Sequence, residues 1–191
     1  MENGSLRMDI NKKRERKIIL FSTGFLVIFF VWLIAFTGEL STFSLLRFAL
    51  LIILSYIAMV IDISTKRIPN VLVLIMVSGW LLLIIPMISY DTSNGLRLFA
   101  DSIYGFLTGG GLFLLVYIIS RKGLGGGDVK FMAAVGLYLG FAEILPAILY
   151  GTVFAAITGL ILIVFKKMER KGTIPLVPFL FTGIMITIFT H

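Results

Sequence analysis

Seven apolar runs, separated by short polar connections, organise this chain. They cover residues 18–36, 44–61, 71–89, 98–120, 129–141, 144–165 and 174–189. Six of them hold 16 to 23 residues, close to what a ~30 Å hydrocarbon core needs at ~1.5 Å of helix rise per residue. The run 129–141 has only 13 and is read as a short or tilted span in a thin or protein-lined region. The connections are rich in Gly, Ser, Thr, Asn and charge, the usual punctuation between helices. The pattern predicts an all-α membrane protein, a polytopic bundle of about seven transmembrane helices. Residues 18–191 form its single transmembrane domain, preceded by a basic tail over 1–17.

Composition agrees. Of 191 residues 59% are apolar and the mean hydropathy is +1.05, whereas a soluble domain is ~45–50% apolar. There is no cysteine, which excludes disulfides, thiolate metal sites and a cysteine nucleophile. The one histidine, His191, leaves neither a histidine metal site nor a Ser-His-Asp triad. No metal and no cofactor are expected. The first apolar run is longer than a signal-peptide core usually is, so it is read as a retained span.

The net charge of +7 would suggest nucleic acid if it were clustered on one soluble face. Its distribution points to the bilayer instead. With the N-terminus cytoplasmic, the inner segments are the tail and the loops 62–70, 121–130 and 166–173, and they carry 15 of the 17 basic residues. Only Arg47 and Arg97 fall outside. This is the asymmetry expected of a multi-pass protein of the plasma (inner) membrane, its basic loops near anionic headgroups. No nucleic-acid partner is needed.

That topology brings two carboxylates to the inner boundary. Asp62 ends the second run and Asp128 follows Gly125-Gly126-Gly127. Pro69 and Asn70 are expected in the first turn of the next helix, where proline is tolerated. Asp128 is expected to be the N-cap of the helix that follows it. The glycines are expected to let the backbone turn tightly and approach a ligand. Carboxylates at a membrane edge are costly, and two sharing a site tend to hold one proton between them. That state suits peptide hydrolysis: one Asp activates water while the other protonates the carbonyl oxygen. The residues leave open which does which.

These residues carry a resemblance. Asp62 followed by Lys66-Arg67-Ile68-Pro69-Asn70, Gly125-Gly126-Gly127-Asp128-Val129-Lys130 with Ala133-Ala134-Val135-Gly136, and Ile174-Pro175-Leu176-Val177-Pro178-Phe179 together resemble the type IV prepilin peptidases, membrane aspartic proteases of the Gly-x-Gly-Asp class. The resemblance runs from about residue 44 to the C-terminus. It implies removal of a short basic leader from prepilin-like precursors at the cytoplasmic face, with Asp62 and Asp128 as the catalytic pair. Gly125, Gly126, Gly127, Lys130, Pro69 and Asn70 are candidates for substrate binding or support of the site. Pilus or secretion assembly machinery is an implied partner. Many relatives carry a Cys-x-x-Cys segment associated with N-methylation; with no cysteine, this chain resembles the short forms, and N-methyltransferase activity is not expected.

Blander readings exist for each residue alone. Asp128 could be a plain cap, Asp62 a solvated helix end, and Lys130 a lysine reaching for the interface. A proton- or ion-coupled transporter would also use membrane aspartates, but it favours midplane sites and repeated halves; neither is visible. A noncatalytic scaffold would tolerate loss of both acids. A presenilin-like protease shares the Gly-x-Gly-Asp motif, yet the short chain and the Ile-Pro-Asn segment after Asp62 point away from it.

Overall fold

The structure, a computed structural model, describes residues 42–120, 123–165 and 175–190. Six helices appear in this order: α1 Thr42–Thr65, α2 Asn70–Tyr90, α3 Thr92–Ile119, α4 Gly126–Leu139, α5 Phe141–Val164 and α6 Val177–Thr190. There is no strand among the described residues. Residues Leu46–His191 form one compact unit, and the features below belong to it. The expected tail, the 18–36 span and the 166–173 loop lie outside the described residues.

Among the described residues four helices are long and apolar enough to cross a membrane: α1, α2, α3 and α5. With 14 residues each, α4 and α6 are about 21 Å long at ~1.5 Å per residue. The chain is therefore an all-α, multi-pass membrane protein, and the count of seven spans is not reached by the described helices. The short helix has a physical explanation. Every residue from Phe131 to Leu139 is buried, so α4 is enclosed by protein, and its length need not match the hydrocarbon thickness. By contrast Leu74, Leu82 and Ile85 of α2, Ile118 of α3 and Leu160 of α5 are exposed, the apolar outer surface that lipid covers.

Small residues let α3 and α4 come close. A Cβ on Gly105 would strike the Gly136 carbonyl oxygen, and one on Gly136 would strike that of Gly105. Gly109 faces the Met132 carbonyl oxygen in the same way. Membrane helices pack through such contacts because lipid supplies no hydrophobic drive between them. Gly110 meets Ala133, whereas Gly111 meets nothing and takes no part in this packing.

Buried polar groups then fix the helices in register. The Tyr138 hydroxyl donates to the Met76 carbonyl at 2.6 Å, tying α4 to α2, and Trp80 Nε1 donates to Ser102 Oγ at 3.2 Å, tying α2 to α3. Where α4 ends, Gly140 adopts φ +82°, a left-handed conformation that side chains disfavour. A Cβ there would also run into the Asp101 carboxylate. Asp101 Oδ1 accepts from the Phe141 amide at 3.1 Å, satisfying a free donor at the start of α5.

Candidate active site

Asp62 lies in the last turn of α1 and is almost fully buried, at 4% exposure. The helix closes just after it: the Lys66 amide donates to the Asp62 carbonyl at 2.8 Å. Lys66 itself turns left-handed, with φ 51°. The side chain finds a partner far along the chain, where the Val177 main-chain amide donates to Asp62 Oδ2 at 3.1 Å. Val177 is the first residue of α6. Sequence reasoning marked this segment only through its prolines, because a backbone N–H has no side-chain signature.

Asp128 sits in the first turn of α4, and here an expectation is corrected. The N-cap is Gly125, not Asp128. Asp128 is the third helical residue, and its Oδ2 reaches back to accept from the Gly125 amide at 3.2 Å. This is the acidic half of a capping box, with glycine where Ser or Thr would complete it. A carboxylate at N3 satisfies an orphan amide and meets the positive end of the helix dipole, so the position is locally favourable.

The glycines act differently from the expectation too. None of Gly125, Gly126 and Gly127 has positive φ, so tight turning is not their role. A Cβ on Gly125 would stand 2.9 Å from Asp128 Oδ2, and one on Gly127 would stand 3.2 Å from Ile68 Cβ. Gly126 faces open space within 4 Å. Glycine thus makes room for a carboxylate at 125 and for a neighbouring loop at 127. At 126 it leaves backbone accessible.

That loop is what joins the two halves. Ile68 is buried although it sits between Arg67 and Pro69, and it packs on Gly127. Pro69 is the N-cap of α2, with φ −70° and ψ 138°, one residue before the first turn where it was expected. Asn70 opens the helix, and its Oδ1 accepts from Lys130 Nζ at 2.9 Å. The structure thus links Pro69–Asn70 and Gly125–Lys130 at one end of the bundle. Asp128 registers the company it keeps: burial first, then the charge of Asp62, pushes its carboxyl up to about 6. Asp128 precedes the apolar stretch of α4 and lies outside the four long spans. Among the described residues no group of His, Cys, Asp or Glu is arranged to hold a metal ion.

Two interacting carboxylates at one end of a helical membrane bundle define a class, the polytopic membrane protein with a paired-aspartate site. Comparison with known proteins narrows it. Residues 48–160 match the type IV leader peptidase family, and the chain belongs to that family. It is 30% identical over 165 residues to the prepilin leader peptidase/N-methyltransferase of Pseudomonas aeruginosa, covering 85% of this chain and 54% of that protein. It is 31% identical over 137 residues to the protein of the same name in Escherichia coli, covering 68% and 56%. A Stutzerimonas stutzeri relative, also so named, is 28% identical over 171 residues, covering 85% and 54%. The chain spans about half the length of these curated relatives. No solved structure matches it.

Proposed function

We propose that this chain is an aspartic endopeptidase of the plasma (inner) membrane. It removes the short basic leader from type IV prepilin-like precursors at the cytoplasmic face, using Asp62 and Asp128. The observation that carries this reading is the coupling of the two acids: Asp62 raises the proton affinity of Asp128 in a chain of the leader peptidase family. Mutual repulsion leaves such a pair with one proton, the state that peptide hydrolysis needs. The ionised carboxylate takes a proton from water as the water oxygen bonds to the scissile carbonyl carbon. The protonated one gives its proton to the carbonyl oxygen. The tetrahedral adduct then collapses: the C–N bond breaks, the departing amine leaves with the proton first taken from water, and one hydroxyl of the adduct returns its proton to the carboxylate that had given one, which restores the pair.

The remaining candidates fall into supporting places. Lys130 and Asn70 hold the start of α2 against the first turn of α4. Gly126 offers uncovered main chain on which an extended precursor can lie. The basic loops support a cytoplasmic site by the distribution of Lys and Arg, and the prepilin-like precursors are the expected partners, with assembly machinery beyond them. Peptidase activity alone is proposed; the methyltransferase of the relatives' names is not carried over.

Coexpression with candidate prepilins tests the reading, scored by leader removal. Asp62→Asn and Asp128→Asn should each abolish processing, on the order of 10⁴-fold, the upper range for an essential acid or base, while both proteins still insert. Normal processing by either variant would eliminate the mechanism.

A further inference from the structure

Asp62 and Asp128 have unequal surroundings. Asp62 Oδ2 accepts the Val177 amide at 3.1 Å in a buried setting, and the neighbouring Leu176 amide also acts on this carboxylate. Val177 opens α6 and Leu176 immediately precedes it, 115 positions along the chain from Asp62 to Val177, and the start of a helix carries the positive end of its dipole. Lys66, in the turn that closes α1, adds a cation. Asp128 accepts one amide, that of Gly125, at 3.2 Å from its own first turn. Burial, at 4% exposure, opposes the charge of Asp62, as it does that of Asp128; the groups that act beside it are Lys66 just past α1, Asp128 from α4, the Val177 amide of α6 and the Leu176 amide just before that helix. Lys130, the other nearby cation, is engaged with Asn70.

Amide donors and a neighbouring cation favour the ionised form of a carboxylate. Two amides and a lysine on one partner, against one amide on the other, break the symmetry of the pair. We infer that the N-terminus of α6 assigns the catalytic roles: with the Val177 N–H held on its Oδ2, Asp62 is the ionised member that takes the proton from water, and Asp128 carries the proton delivered to the carbonyl oxygen. Val177 is thereby a positioning residue, acting through its main chain. The inference rests on the aspartic peptidase reading above and adds to it the direction in which the proton moves. The elevated proton affinity of Asp128, to about 6, agrees with the assignment.

Deleting one N–H tests it. In the full chain, purified in lipid nanodiscs, valine at 177 is replaced by its α-hydroxy analogue, which turns the amide into an ester and keeps the side chain. Val177→Pro removes the same donor at a helix position where proline is tolerated, and Val177→Ala trims the side chain while keeping the donor. Prepilin cleavage is followed across pH. The ester and proline forms should move the acidic limb of the pH–rate profile upward by about one unit, the size of one hydrogen bond to a charged group. Val177→Ala should lower the rate and leave both limbs in place. An active ester form with unshifted limbs, or with only its basic limb moved, overturns the assignment of roles. Should the proline form not fold, the ester form decides. Full cleavage by Asp62→Asn would instead overturn the underlying peptidase reading.

Discussion

Lys130 Nζ donates a 2.9 Å hydrogen bond to Asn70 Oδ1, joining positions 60 residues apart in sequence. The bond closes over the Ile68–Gly127 contact and keeps the first turn of α4, with Asp128, against the loop that follows Asp62. Both side chains are exposed, so the link contributes little to stability and more to placement. In a double-mutant cycle of Lys130→Ala and Asn70→Ala, the coupling measured by chemical unfolding should be about 0.5–1 kcal/mol, as for accessible charged hydrogen bonds. Cleavage should fall roughly tenfold in either single variant, since small misplacements of reacting groups are costly, and no further in the double. Strictly multiplicative losses would show that the two residues act separately.

Gly125 and Gly126 should respond oppositely to the same methyl group. Alanine at 125 places a Cβ against Asp128 Oδ2, so the carboxylate must leave its seat on the Gly125 amide. At 126 the added Cβ meets nothing, and alanine is favoured over glycine in a helix by about 1 kcal/mol. Gly125→Ala is expected to cut kcat and to lower the melting temperature by a few degrees, because the Gly125 amide loses its cap. Gly126→Ala should melt slightly higher and, if the proposed lie of the precursor along this uncovered strip holds, raise KM. An unchanged KM at 126 would place the precursor elsewhere.

Asp128 also links stability to pH. Its carboxyl titrates at about 6 in the folded protein and near ~4 in an unfolded chain. Between those values the folded state binds more protons, so stability falls as pH rises from about 4 to about 6 and is level above that. Asp128→Asn, which cannot ionise, should be more stable than the parent by about 1–2 kcal/mol at pH 7.5 after allowance for solvent screening. The difference should vanish near pH 4. Unfolding measured in detergent at the two pH values checks the sign; a parent protein that gains stability on going from pH 4 to 7.5 through this residue contradicts it.

Gly140 offers a control away from the candidate active site. It stands at φ +82° beside the Asp101 carboxylate, at the end of α4 opposite Asp128. Gly140→Ala should destabilise by at least about 1–3 kcal/mol through backbone strain, and further through the displaced cap on Phe141. The rate per folded molecule should be unchanged. A kcat loss in the folded fraction would show that the far end of α4 sets the position of Asp128.

Hydropathy alone located most of the helices, because a bilayer rewards continuous apolar runs whatever their neighbours. It misjudged their starts. α3 begins at Thr92, six residues before the apolar run, because Asp91 accepts from the Asn94 amide at 3.1 Å and from the Asn94 side chain at 2.6 Å. Polar residues that cap a helix from just outside read as loop in a hydropathy scan. The same blindness put the cap of α4 at Asp128 instead of Gly125. A carboxylate at N3 and one at the N-cap differ by three residues of sequence and by which amide they satisfy.

The candidate site was legible as residues and less so as a structure. Asp62, Asp128 and the glycines stand out by type, since charge is rare in such a chain. What draws their segments together is Ile68 against Gly127, and a main-chain amide from Val177 against Asp62. Ile68 could have been suspected as the one large apolar side chain between Arg67 and Pro69. The Val177 amide could not, because only the fold determines which backbone donor is left free to face a carboxylate.

The enclosure of α4 has a consequence for where such a protein can operate. A helix with no lipid-facing side does not feel bilayer thickness directly, so thinning or thickening the membrane strains the outer helices while the Asp128 carboxylate rides on an inner piston of fixed reach. Its depth is set by glycine-to-carbonyl contacts within the protein, and membranes of differing acyl length should hold that carboxylate at the same level.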